Sequence, residues 1–435
     1  MHRFRAVIAA LTLGAPLAAS AADITRIASS FEDDDPFDLF FDVGFERTQT
    51  RAKIVREQLS STPVPNATEV REVNEVWYKG VDARLNLAVA FGLWKDLEFS
   101  FKLPIVFQQN ETWEYVSGTN NGNSTIDNSC FNANGSPYSP EGCVGRLFQV
   151  PQASYRGGLG NVHFGLAYAF FNQEKDNTKP TWIVGIDYEA PTAKLRDPSV
   201  DTTDPDGDRG NVGDRVHKYQ LYTSFSRRMG PADPYFKAYH TIPVRGPGAY
   251  SNCAQSGGNP EGMTRSNLGA PENCYQGPWS RNETGIQAPS QTGLLFGVEL
   301  VPFENPARNQ KFAVDLRLMG NYVGRGRYYN ELSSALRKLL TSEDYMQVGG
   351  QFGVTARAAE AFTIRASGNF LYNTDHLLTS ETIGQDLNGD GSVDANPGSP
   401  ELNPTFDWRY DLTSRRFRAI QSTTFRFDLG ATFSF

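Results

Sequence analysis

From residue 81 the chain alternates. Val81, Ala83, Leu85, Leu87, Val89 and Phe91 take every second position, and Asp82, Arg84, Asn86, Ala88 and Ala90 fall between them. After a turn at Trp94-Lys95-Asp96 the alternation resumes as Leu97, Phe99, Phe101, Leu103, Ile105 and Phe107, set against Glu98, Ser100 and Lys102. A period of two is the signature of a strand with one apolar and one polar face, and two such strands on a tight turn make a hairpin.

The pattern recurs to the C-terminus. Apolar faces are Leu39/Phe41/Val43/Phe45, Val162/Phe164/Leu166/Tyr168/Phe170, Trp182/Val184/Ile186/Tyr188 and Tyr219/Leu221/Phe225, followed by a vaguer run from Tyr235 to Val244. Then come Leu294/Phe296/Val298/Leu300, Phe312/Val314/Leu316/Leu318, Met346/Val348/Phe352/Val354, Phe362/Ile364/Phe370/Tyr372 and Phe425/Phe427/Leu429/Phe433/Phe435. With the first hairpin these give about twelve strands of roughly ten residues, the length a tilted strand needs to cross a bilayer. Connections alternate by length. Short ones lie near 93–96, 171–180, 227–234, 303–310 and 358–361, and long polar ones at 48–73, 108–158, 191–214, 245–290, 323–344 and 373–414. A soluble sandwich has no reason to sort its loops by parity, whereas an outer-membrane barrel has short periplasmic turns and long outer loops. The expected fold is therefore all-β: a transmembrane up-and-down antiparallel barrel. Trp94 and Trp182 at the short-turn ends, and Trp77, Tyr78, Tyr188, Tyr322, Tyr345 and Tyr372 at the long-loop ends, read as two aromatic girdles.

Composition adds limits. Of 435 residues 39% are apolar and 12% aromatic, and the net charge is −8. The acidic balance argues against nucleic acid as a partner, and beyond the N-terminus no apolar run is long enough for a transmembrane helix. At the N-terminus Arg3 and Arg5, the apolar stretch Ala6 to Leu17 and the small residues Ala19-Ser20-Ala21 read as an export signal cleaved after Ala21. That division gives a signal peptide over 1–21, a periplasmic N-terminal segment over 22–36 and the barrel over 37–435. Export suits the four cysteines, which fall in two local pairs, Cys130/Cys143 and Cys253/Cys274, and predict two loop-stapling disulfides.

The last residues, Phe425-Arg-Phe427-Asp-Leu429-Gly-Ala431-Thr-Phe433-Ser-Phe435, resemble the C-terminal signal of Gram-negative outer-membrane β-barrels. That resemblance implies recognition by the barrel-assembly machinery during biogenesis and residence in outer-membrane lipid. Gly158-Leu-Gly160-Asn-Val162, then two strands and Ala190-Pro191-Thr192, is similar to porin-like barrels of the MetA type, labelled phenol-degradation-pathway proteins. Asn161 stands where that family usually has Asp, and Ala193 where it has Gly. The resemblance implies a channel for small, including aromatic, compounds.

Candidate lumen residues of both signs fall on the polar faces: Asp82, Arg84, Glu98, Lys102, Asp187, Glu189, Asp315, Arg317, Arg357, Arg365, Arg426 and Asp428. They predict either a pore lining or ion-pair ladders filling the interior. Small lumen residues (Ala88, Ala90, Gly165, Ala167, Gly185, Gly297 and Gly353) predict some free cross-section. The run Asp386-Leu-Asn388-Gly-Asp390-Gly-Ser-Val-Asp394 resembles a calcium loop, with Pro397 where the bidentate Glu belongs and Glu401 as the residue that could reach back. Asp386, Asn388, Asp390 and Asp394 are thus candidate metal ligands, and no cofactor is required. Enzymatic activity is not expected: His163, His217, His240 and His376 are the mature chain's histidines, and His217 beside Asp214 is the best acid–His pair. A short amphipathic helix is expected over Tyr328 to Leu340. The functional expectation is a porin-like channel for small solutes. The alternative is a barrel that anchors an envelope-spanning complex or displays surface loops to periplasmic or envelope partners.

Overall fold

The computed structural model describes residues 22–30, 37–59, 70–127, 146–207, 209–253, 273–274, 278–359, 361–396 and 398–435. The strands are β1 (Leu39–Leu59), β2 (Val70–Trp94), β3 (Leu97–Tyr115), β4 (Gln152–Leu159), β5 (Val162–Phe171), β6 (Thr181–Ala190), β7 (Val216–Ser226) and β8 (Ala232–Arg245). They continue as β9 (Gln291–Asn305), β10 (Gln310–Val323), β11 (Gly326–Tyr328), β12 (Leu340–Ser342), β13 (Tyr345–Ala359), β14 (Phe362–Asn373), β15 (His376–Leu377) and β16 (Phe417–Ser434). β4 and β5 both pair with β3 and act as one strand broken at Gly160-Asn161, and β11, β12 and β15 belong to loops. The remaining chain is a closed antiparallel barrel of twelve membrane strands, sealed where β1 pairs with β16 from Phe40↔Ser434 to Arg56↔Phe417.

Closure matters because a bilayer offers no hydrogen-bond partner to an edge strand. Outward positions carry the expected apolar side chains: Leu318 is 70% exposed, and Phe296, Phe352, Phe370 and Phe425 are also exposed. Such a continuous apolar band is untenable in water and natural against lipid. With the short turns at one end and the long loops at the other, it places the protein in a Gram-negative outer membrane. The 21 residues of β1 and 25 of β2 exceed the span a bilayer needs, so this hairpin rises beyond the membrane on the long-loop side.

Three expectations change. The vague run from Tyr235 has a cause: Tyr235 and Tyr239 point into the lumen, where an added Cβ at Gly297 would lie 2.4 Å from the Tyr235 ring and one at Gly293 2.2 Å from the Tyr239 ring. Tyr222 covers Gly185 in the same way, so Gly185 and Gly297 admit rings and leave no open volume. Tyr78 is not a girdle residue. It is buried against Trp113, with ring centroids 5.9 Å apart, in the outer apolar core. Between Tyr328, the end of β11, and Leu340, the start of β12, the chain forms irregular turns in place of a helix, with one i→i−4 bond from Leu336 N–H to Leu332 O at 2.8 Å. Arg337 then takes φ +58°, which ends any helical path. Helical spacing here reflects which side chains are buried (Leu332, Leu336, Leu339 and Leu340) and not a helical backbone.

Cys253 and Cys274 form a disulfide with Cα atoms 5.5 Å apart; Cys130 and Cys143 lie outside the described residues.

A charge on the lipid face should be costly. Leu318→Arg is expected to destabilise the barrel by about 2–4 kcal/mol, read by urea unfolding in thin lipid vesicles, while Leu318→Phe should change little.

Candidate functional site

The lumen is built from rows of side chains running across the strands. One row reads Asp42, Ala88, Lys102, His163, Glu189 and Lys218, each residue opposite the next on adjacent strands. Lys218 Nζ meets Glu189 Oε1 at 3.0 Å and Asp214 Oδ2 at 2.8 Å. Elsewhere the wall charges pair locally. Arg84 Nε reaches Asp82 Oδ1 at 2.8 Å, Arg317 reaches Asp315 at 3.1 Å, and Arg426 Nε reaches Asp428 Oδ1 at 2.8 Å. Tyr235 donates its hydroxyl hydrogen to Asp315 and accepts one from Arg317 Nε at 2.9 Å. Arg365 meets the Thr432 hydroxyl and lies 3.5 Å from Asp42. Arg357 lines a small cavity near the short-turn end together with Lys311 and Glu299.

These pairs do not fill the tube. A cavity of about 740 Å³ lies among β2, β3, β5, β6, β7, β8 and β9, with Glu98, Lys102, Asp187 and Glu189 in its wall beside the small residues Ala88, Ala90 and Gly165. A second, of about 310 Å³, lies by Asp315, Arg317, Arg365, Arg426, Asp428 and Gly353. Asp42, Glu46, Lys218 and Glu299 line the lumen as well, and the signal for them is parity: each stands at a polar-face position beside a predicted apolar face.

Both ends of the lumen are covered. At the short-turn end residues 22–30, expected as a periplasmic flank, turn into the barrel mouth. Ala28 N–H donates to Glu98 Oε2 at 2.7 Å, the Thr25 and Ser226 hydroxyls are 2.7 Å apart, and Ile27 packs on Ala167, Ala169 and Ile183. Arg26 of this segment forms part of the large cavity's boundary and lies 3.9 Å from Asp42. No hydrophobic period announces such a segment in the sequence.

At the other end the long loops fold into a dome. Its apolar core joins Ile54, Val76 and Trp113 from the tall strands to Ile126, Phe148, Leu332, Leu336 and Tyr410 from the loops. Buried ion pairs hold it: Arg327 to Glu381 through two bonds at 2.7 and 2.8 Å, Arg196 to Glu111 at 3.1 Å, and Arg409 to Asp407 at 2.7 Å. Tyr328 hangs from the dome, bonds Asp214 and borders the large cavity with Ala288 and Pro289.

The two halves of the motif around residues 158–162 and 190–193 meet. Val162 N–H donates to Thr192 Oγ1 at 3.0 Å, Ala193 N–H donates to Asn161 Oδ1 at 3.1 Å, and Asn161 Nδ2 donates to Glu189 Oε1 at 2.7 Å. Gly160 is required because a Cβ there would lie 2.8 Å from Pro104. Asn161 thus ties the break in the wall to a cavity carboxylate. His217 pairs through Nδ1 with the Tyr188 hydroxyl at 2.7 Å and stacks on that ring; Asp214 is occupied elsewhere.

In the 386–394 loop, Asp386 accepts from Gly389 N–H at 2.6 Å and Gly391 N–H at 2.8 Å. Glu401 does reach back, but to the loop backbone, accepting from Leu387, Asn388 and Asp394 N–H groups. Asn388 Nδ2 donates to Asp390, whose other oxygen takes the Ser392 N–H, and Asp394 accepts from Asn396. Among the described residues no group of three or more His, Cys, Asp or Glu side chains converges as a metal site.

No protein-family model matches the chain, and no curated protein matches it by sequence. Solved structures similar in outline include an outer membrane channel from Pseudomonas putida F1, with 9% identity, 96% of this chain and 100% of that chain covered, and a TM-score of 0.42. A Pseudomonas aeruginosa FadL homologue has 8% identity, coverage of 91% and 90%, and a TM-score of 0.37. The outer membrane protease OmpT from Escherichia coli has 8% identity, coverage of 94% and 100%, and a TM-score of 0.29. Scores this low bear on neither mechanism nor substrate.

The dome's carboxylates set opposite pH trends. Burial pushes Asp411 up to about 7 from 3.8, against the pull of Lys338. The folded chain therefore keeps a proton that the unfolded chain releases, and dome stability should rise as pH falls from 7 towards 4. Burial also works to raise Glu381, but Arg327 and the Thr341 hydroxyl outweigh it and hold this group at about 2. Its contribution is present above 4.5 and lost as pH falls from 4.5 to 2. Hydrogen exchange of amides 378–416 should show protection growing and then collapsing across those two windows. Glu381→Gln should remove the collapse, and Arg327→Ala, which strands a buried carboxylate, should cost the dome about 3–5 kcal/mol at pH 7.

Proposed function

We propose that the protein is an outer-membrane channel for the passive passage of small solutes, selected by lumen charge and constrained at both ends. The observation that carries this reading is the unfilled cavity of about 740 Å³ in the barrel, with ionisable side chains in its wall. That volume lies in the ordinary range of small-molecule sites. A barrel serving only as an anchor gains nothing from leaving such volume empty, since well-packed side chains would stabilise it more. The mixed signs in the wall suit solutes with polar groups, and the resemblance to MetA-type barrels directs attention to small aromatic compounds bearing them.

On this reading passage requires residues 22–30 to shift, because they cover the short-turn mouth. The test is single-channel conductance in planar bilayers combined with swelling of proteoliposomes. The intact protein should give small, steady steps. Deletion of residues 22–30 should enlarge them several-fold, and Lys102→Gln should shift selectivity towards cations. Silence from correctly folded, heat-modifiable protein, both intact and deleted, would refute the channel.

A further inference from the structure

Asp233, second residue of β8, is 1% exposed, and among the described residues the donor directed at its carboxylate is the Ala22 backbone N–H, which stops short of a fully formed hydrogen bond. Directly across the ladder stands Glu299, also buried. Two like charges opposite one another on neighbouring strands repel. Lys311 answers Glu299 at 2.7 Å, and Arg228 is held by Glu304 through bonds at 3.2 and 2.6 Å. Asp233 is left as a buried carboxylate short of donors, and the two cations near it, Lys311 and Arg228, are each engaged by another carboxylate, an expensive arrangement that native proteins rarely keep.

The backbone N–H of Ala22 is directed at the Asp233 carboxylate. Ala22 is fully buried, and its carbonyl accepts from Thr25 N–H at 2.8 Å and Thr25 Oγ1 at 3.0 Å. Thr25 in turn meets Ser226 at the end of β7. The residues just before Ala22 are Ala19-Ser20-Ala21, the small-residue pattern of an export cleavage site. Signal-peptide removal adds water across the Ala21–Ala22 bond. Ala21 leaves with the carboxylate, and Ala22 keeps an amine that is protonated at neutral pH, its ordinary pKa being about 8. An amide nitrogen with one N–H thereby becomes a full positive charge with three donors.

We infer that Asp233 is a built receptor for an α-ammonium group, and that its ligand is the chain's own processed N-terminus. Cleavage creates a cation that the buried carboxylate need not share with Glu299 or Glu304. The ion pair then fastens residues 22–30 in the barrel mouth, so that the segment seats fully only in exported, processed protein. This holds whichever solute the lumen passes.

The test starts from protein purified from outer membranes, with its N-terminal residue identified by mass spectrometry. Folded protein is treated with an amine-acylating reagent at pH 7, and acylation of the Ala22 amine is followed over time, with surface lysines as the internal reference. The wild-type amine is expected to react on the order of a hundredfold more slowly than the Asp233→Asn amine. Equal rates in the two proteins, or a mature chain that starts at another residue, would overturn the assignment. Should the Asn variant fail the heat-modifiability check for folding, a second protein decides. Refolded protein with one glycine ahead of Ala22 keeps Asp233 intact but moves the charge. It is expected to become cleavable by trypsin at Arg26, and unchanged resistance relative to the processed protein overturns the proposal.

Discussion

Every backbone N–H and C=O that enters the bilayer must find its partner within the sheet, and this requirement governs the molecule. It forces β1 onto β16 along sixteen paired positions, and it turns residue parity into geography. Once the sheet closes, each strand position faces lipid or lumen with no intermediate. The alternation of Phe and Leu with Asp, Arg and Lys is the consequence. The break at Gly160-Asn161 is tolerated because the lost ladder bonds are replaced locally: Gly160 N–H donates to Pro104 O at 2.9 Å, and Asn161 accepts from Ala193.

Closing the sheet creates a tube with two mouths, and the chain treats them differently. At the long-loop end the tall β1–β2 hairpin lets loops that could not fold alone share one apolar core, with ion pairs buried inside it. At the short-turn end there is too little loop for a core, and a nine-residue segment enters the barrel instead. In the wall, the lumen volume is set by rings lying over glycines, as at Tyr222/Gly185 and Tyr235/Gly297, and by opposite charges meeting across strands, as at Lys218 and Glu189.

The barrel was legible in the sequence because its signal is local and repeated: parity within a strand, and loop length between strands. The same alternation marks the charged positions that fall between apolar neighbours, and the local spacing of Cys253 and Cys274 marked their pairing. What escaped depends on contacts between distant segments. Nothing near Tyr78 marks it as destined for Trp113 in a dome core, since girdle and core aromatics look alike along the chain. Leu332 to Leu340 carried a helical spacing because four burials in an irregular loop can imitate one. Residues 22–30 have no periodicity, and their placement comes from single partners such as Glu98 and Ser226.

The two closures also differ in what holds them near the cavity. Roof residues descend from a dome that contains ion pairs withdrawn from water, as in Arg327–Glu381 with side chains 6% and 7% exposed. Breaking such a pair is costly because it leaves a stranded charge. At the cavity's other boundary, Arg26 and Asp42 are 3.9 Å apart with side chains 27% and 31% exposed, a contact of the kind that contributes little and that water or a solute can replace. The weak point of the enclosure is therefore the lumen-facing part of the N-terminal segment and not the dome. Parting Arg26 from Asp42 strands neither charge in a dry interior, because both are open to water and Asp42 keeps Thr432 and Arg365 as neighbours, so the least costly way to open the cavity runs past that contact.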